Sequence, residues 1–136
     1  MAVLAAARRT FRLKPIRRIT DALTPGQYAV YSLMFDTGEG TGQGSRLFRG
    51  GYVDLVRLTG LSKRGIQNVV GELQKKLVIG IYQAPGYHRT QSTVYEVLPE
   101  EAVLQRWREQ GLQYSMGKSK ELVNISTVAH NATVAE

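Results

Sequence analysis

The chain has 136 residues, 43% of them hydrophobic, with no cysteine and a formal net charge of +7. That length suits one domain with some extra tail, and the apolar content is enough for a core. The absence of cysteine excludes disulfides and thiolate metal sites and fits a reducing cytosol; no apolar run reaches membrane-spanning length.

The positive charge is unevenly placed. Residues 1 to 23 hold six basic side chains and one acid, and residues 46 to 91 hold eight against two. From Glu96 onward there are four bases and six acids. An excess confined to the first two thirds fits a polyanionic partner, since released counterions favour phosphate contacts; a plain solubility charge is the competing reading.

"MAVLAAARRTFRLKPIRR" opens the chain. It is rich in Ala and Arg and free of acids, as transit peptides are, but its apolar stretch precedes the basic one, unlike a secretory signal. Arg8, Arg9, Arg12, Arg17 and Arg18 make residues 1–19 a basic N-terminal arm. Phe11, Leu13 and Ile16 interleave with those charges. Either the arm is free and reaches a partner, or these apolar residues dock on the domain or on a second subunit. On the first reading, residues 1 to 14 are dispensable for the core.

"LTPGQYAVYSLMF" marks a helix start: Thr24 at the N-cap, Pro25 at the first helical position, Gln27 completing a capping box. Leu23 and Tyr28 hold the staple positions, and Val30, Tyr31, Leu33 and Met34 give a core face. "DTGEGTGQGS" stops that helix with four glycines. Its spacing matches neither phosphate-binding glycine motif, so it reads as a linker. "RLFRG" is a short strand. "GYVDLVRLTG" is a second helix with Tyr52, Leu55, Val56 and Leu58 inward, ended by Gly60.

Ser62 caps a third helix, in which Ile66, Val69, Val70, Leu73 and Leu77 recur at helical spacing. "VIGIYQ" and "STVYEVL" are β-rich runs around "APGYHRTQ", a hairpin with a basic and aromatic tip. "PEEAVLQRWREQG" is a fourth helix with Val103, Leu104 and Trp107 on one side and Gly111 at its end. Residues 112–136 are small and polar and read as a flexible tail, or a segment ordered only on a partner.

Helix, short strand, helix, turn, helix and hairpin follow in that order. Through "LTPGQYAVYSLM", "YVDLVRLTGLSKRGIQNVVGELQKK" and "GIYQAPGYHRTQSTVYEVLP", the chain resembles the winged helix-turn-helix DNA-binding family of bacterial regulators and mobile-element replication initiators. The resemblance implies a fold class that is mostly α with a small β-hairpin. It implies a winged domain over 20–98, with an added C-terminal helix over 99–111. One position departs from the pattern: Leu77 stands where the family has Gly.

In such proteins the N-terminal end of the recognition helix enters the major groove. Arg64, Gln67, Asn68, Gly71 and Lys75 form one helical stripe away from Ile66, Val70 and Leu73. Arg64, Gln67 and Asn68 are the expected base contacts, since Arg forks onto guanine and Gln or Asn onto adenine. Ser62, Lys63, Lys75, Arg49 and, on the wing, Arg89 are the expected backbone contacts. The arm would reach phosphates or a minor groove, as arms of other helix-turn-helix proteins do.

The expected partner is therefore double-stranded DNA, with no membrane, no cofactor and no metal, in the cytoplasm with the nucleoid. With neither a nucleophile–base set nor a carboxylate pair in a pocket context, the chain reads as a non-enzyme. A transcriptional regulator is the leading function; a plasmid or phage replication or partition protein and a protein-interaction module are the alternatives. The C-terminal helix and the N-terminal arm are the two candidate homodimer surfaces; the alternative for the helix, and the more economical one, is that Val103, Leu104 and Trp107 cover the single core.

Overall fold

A computed structural model describes residues 13–83 and 93–124. In chain order these form β1 (Leu13–Lys14), a 3-10 turn (Ile19–Asp21), α1 (Pro25–Thr37), β2 (Glu39–Gly40), β3 (Arg46–Arg49), α2 (Tyr52–Thr59), α3 (Lys63–Lys75), β4 (Ile79–Gln83), β5 (Val94–Val97), α4 (Glu100–Glu109), β6 (Leu112–Ser115) and β7 (Leu122–Asn124). The chain divides into two compact units. One joins Met1–Thr24 with Glu100–Glu136; the other is Pro25–Pro99.

The Pro25–Pro99 unit packs α1, α2 and α3 with an antiparallel sheet of order β2-β3-β5-β4. α1 buries Gln27, Val30, Tyr31 and Met34, a stripe at i, i+3, i+4 and i+7. The Tyr31 hydroxyl donates to the Leu98 carbonyl at 2.6 Å. Beyond it Phe35 stacks on Tyr31, and the Arg46 guanidinium lies 4.7 Å above the Phe35 ring. On the sheet, Phe48 faces Tyr95 and Ile79 faces Val97, all four buried. Burial, with Tyr52 nearby, pushes the Tyr95 phenol above its ordinary pKa.

α2 starts with its Asp54 carboxylate accepting the Gly51 N–H at 2.9 Å. It ends at Gly60, whose φ of 76° needs no Cβ to be accommodated. Only Leu55 is fully buried on this helix; Leu58, expected inward, is 52% exposed. An eight-residue helix turns its last apolar position away from the core before the chain reverses.

α3 ends in a six-to-one, five-to-two hydrogen-bond pair. The Val78 N–H bonds the Leu73 carbonyl and the Leu77 N–H bonds the Gln74 carbonyl, both at 3.0 Å. Leu77 sits between them with φ of 64°. This is the left-handed residue of the cap, the place glycine favours, and a leucine there carries roughly 1 kcal/mol of strain. Buried Leu73 and Val78 close the motif as an apolar pair.

The other unit holds a sheet of order β1-β6-β7 with α4. Leu13 pairs Ser115, and Leu112 pairs Asn124. Val103 and Trp107 of α4 are buried, as are Leu13, Ile19, Ala22 and Leu23.

Several expectations are corrected. The chain is not a mostly-α winged helix-turn-helix with one hairpin and an added helix. Among the described residues, four α-helices and seven strands in two antiparallel sheets make an α/β fold. Six of those strands run two to four residues, too short for alternation to show in a sequence. Residues 112–115 and 122–124, read as tail, are strands. Leu13, read as dispensable arm, is a buried strand residue. Residues 125–136 lie outside the described residues.

Candidate nucleic-acid interface

Two neighbouring features place the polar end of α3. Gly60 reverses the chain after α2, and Ser62 then caps α3, its Oγ accepting the Gly65 N–H at 3.0 Å. Ile66, Val70 and Leu73, at i, i+4 and i+7, are completely buried and fix the helix's rotation. With that face committed, Lys63, Arg64, Gln67 and Asn68 are all exposed. The first turn contains no acid, and among the described residues Lys63 and Arg64 enter no ion pair. Two cations, two amides, a capping hydroxyl and the positive end of a 13-residue helix dipole thus share one surface.

Further along the helix, a Cβ built on Gly71 would meet nothing within 4 Å. No packing requirement in the fold explains a glycine there, although it lowers helix propensity. Lys75 is exposed and only loosely paired with Glu72, at 3.7 Å. Lys76, its neighbour, is 3% exposed, and its Nζ donates to the buried Gln27 Oε1 at 2.8 Å. Gln27, expected as a capping residue, also accepts from this buried cation. The signal was present: Lys76 lies three residues after Leu73, on the buried side of the helical period.

The remaining candidates are scattered. Arg49, exposed at the end of β3, borders a cavity of about 500 Å³ with Leu47, Leu58 and Arg57. Arg57 is held by Asp54 at 2.8 Å. Arg17 and Arg18 belong to the other unit. Arg17 is exposed, whereas Arg18 makes two hydrogen bonds to Glu100, at 2.9 and 3.1 Å. Glu100 also accepts the Ile19 N–H at 2.9 Å. The Arg18 hydrogen bond, helped by that amide, holds Glu100 below the usual carboxylate range. Asp21 is lowered too, first by the Arg18 N–H and then by the Arg17 N–H. Arg8, Arg9, Arg12 and the wing residue Arg89 lie outside the described residues, as do Tyr87, His88 and Thr90.

On the last helix Val103 and Trp107 are buried, and Leu104 is half-buried. Among the described residues no group of three His, Cys, Asp or Glu side chains could hold a metal ion, and no helix is long and apolar enough to cross a membrane. Compared with protein-family models, curated proteins and solved structures, the chain matches none.

Proposed function

We propose that the chain binds double-stranded DNA with sequence preference, reading bases with the first turns of α3, and that it acts as a transcriptional regulator. One observation carries this: a capped helix end presents Lys63, Arg64, Gln67 and Asn68 to solvent, opposite a fully buried apolar stripe, with no acid in the turn.

The chemistry follows from the side chains. The Arg64 fork matches the O6 and N7 acceptors of guanine, and the carboxamides of Gln67 and Asn68 match the N6 and N7 of adenine. Lys63, Ser62 and the helix N-terminus supply phosphate contacts that set register without reading sequence. Gly71 removes a side chain where the helix backbone nears the groove wall, and Lys75 meets a phosphate at the far end. The net charge of +7 adds a counterion-release contribution. No catalytic step and no cofactor belong to this function, which places the chain on the nucleoid in the cytoplasm.

The test is selection of bound fragments from a random duplex pool, followed by titration of the selected site at several salt concentrations. Binding should weaken steeply with salt, by a log–log slope of about 0.9 per phosphate contact. Arg64→Ala or Asn68→Ala should lose about 1–3 kcal/mol at the selected site and far less on random DNA. Equal losses on both would mean the helix grips phosphates only. No duplex binding at low salt would remove the DNA reading.

A further inference from the structure

The exposure of Leu58, near the end of α2, has a counterpart in the cavity of about 500 Å³ that this side chain borders within the Pro25–Pro99 unit. Cavities of about 300–1,000 Å³ that combine apolar walls with a few convergent polar groups are the usual form of small-molecule sites. Half-buried Leu47 and buried Val94 complete the apolar wall here.

The charged groups around that wall divide into used and unused. Asp54 accepts the Gly51 N–H at 2.9 Å and a hydrogen bond from Arg57 at 2.8 Å, so Asp54 and Arg57 already satisfy each other. Glu96, which faces Leu47 from β5, accepts the Ser45 hydroxyl at 3.3 Å. Arg49 and Glu39 also line the cavity, and both are exposed. Among the described residues their side chains enter no ion pair and no hydrogen bond.

The sheet register fixes how these two charges stand. Glu39 faces Leu47 across the β2–β3 ladder, and Arg49 follows Leu47 by two residues. All three side chains therefore leave the same face of the sheet. Glu39 and Arg49 are diagonal neighbours, a relation that sets positions about 7–8 Å apart, within reach of long side chains. A cation and an anion at that spacing, beside an apolar wall and unpaired with each other, are complementary to a ligand that carries both charges close together and one apolar group.

We propose that this cavity binds a free α-amino acid with an apolar side chain. The Arg49 guanidinium takes the carboxylate in a two-pronged hydrogen bond, Glu39 accepts from the ammonium, and the side chain lies on Leu47 and Leu58. A simple carboxylate would leave Glu39 unanswered beside it, and a simple amine would do the same to Arg49. A residue inside a peptide carries neither charge. The site uses no residue of α3 and does not rest on the DNA-binding function above.

The experiment is calorimetric titration of the full chain with L-leucine, L-phenylalanine, glycine, N-acetyl-L-leucine and L-leucinamide, with the Leu58 methyl resonances as a local readout. Leucine and phenylalanine should bind and shift those methyls. The two blocked leucines, each lacking one charge, and glycine, lacking the side chain, should all bind about ten-fold or more weakly. Glu39→Gln should weaken leucine about ten-fold and leave N-acetyl-leucine unaffected, because that ligand has no ammonium to lose. Arg49→Gln should weaken leucine similarly and leave leucinamide unaffected. Both positions are exposed, so the melting temperatures of the ligand-free variants should match the wild type.

No heat and no Leu58 shift with leucine or phenylalanine at about 10 mM would overturn the site. N-acetyl-leucine binding as well as leucine would make it a plain carboxylate site, and leucinamide doing so a plain amine site; either overturns the amino-acid reading. Leucine binding that survives both Glu39→Gln and Arg49→Gln places the ligand elsewhere and overturns it as well.

Discussion

The two units use positive charge in opposite ways. At the entry to α4, Arg18 is gripped by Glu100, and the backbone amides of Arg17 and Arg18 are gathered by Asp21. At the entry to α3, Lys63 and Arg64 stand in solvent with no carboxylate in the turn. Both turns are basic in sequence, yet the first is a structural clasp and the second an open surface. Net charge therefore does not locate a polyanion site; the pairing state of each cation does. The adjacent Lys75 and Lys76 repeat the contrast within one helix, one exposed and one buried against Gln27.

The sharpest way to break this distinction is at Lys76. Lys76→Ala should lower unfolding free energy by about 2–4 kcal/mol, from the lost packing of its stem and the disturbed Gln27 contact. Chemical denaturation reads that loss, and the salt slope of DNA binding should not change. A reduced slope with intact stability would make Lys76 a phosphate contact and undo the contrast.

Glu100→Ala tests the clasp. It removes the acceptor for both Arg18 and the Ile19 amide, and should lose about 1–3 kcal/mol of stability. The same clasp has a pH signature. The folded pKa values of Glu100 and Asp21 are lowered, so their contribution is complete above the ordinary carboxylate range and lost as pH falls through that range towards the folded values. Stability should decline over that acid window, and the decline should be shallower in Glu100→Ala. Identical acid titrations of the two proteins would show that the clasp adds nothing.

Gly71→Ala should act in two directions at once. The helix gains roughly 1 kcal/mol of stability, since the new methyl meets nothing. On the proposed function DNA affinity should fall, because the methyl would stand between backbone and groove. A more stable protein with undiminished affinity would mean the backbone never comes close. The smallest effect belongs to Lys75→Ala. Its stability should stay within about 0.5 kcal/mol of wild type, since exposed pairs contribute little, while the salt slope drops by about 0.9.

Local punctuation was legible in the sequence. Gly60, Ser62 and the run of Ile66, Val70 and Leu73 announced α3, its start and its orientation, because each acts within a turn or two of its own position. The polar face of that helix followed by subtraction. What the sequence hid depends on distant partners. Leu13 is a strand residue only because Ser115 lies beside it, and "LQYS" has no periodicity of its own to distinguish it from a tail. The partner of Lys76 is likewise distant: Gln27 lies 49 residues away. The register shift between Ile81 and Gln83 does not show in "VIGIYQ", because a bulge is a property of two strands and not of one.

The assembly of one unit from both ends of the chain has a consequence for synthesis. Residues 25 to 99 emerge from the ribosome as one uninterrupted stretch, while Leu13 must wait for Ser115 before β1 has a neighbour. Contacts so distant in sequence form late, because closing the long loop between them is entropically unfavourable until something compact has shortened it. The Pro25–Pro99 unit is then the piece that folds first, and its compaction draws the two flanking segments towards each other. Until α4 and β6 are made, the emerging N-terminal segment carries Leu13, Ile19 and Leu23 uncovered, which makes translation the interval in which this chain is most exposed to aggregation.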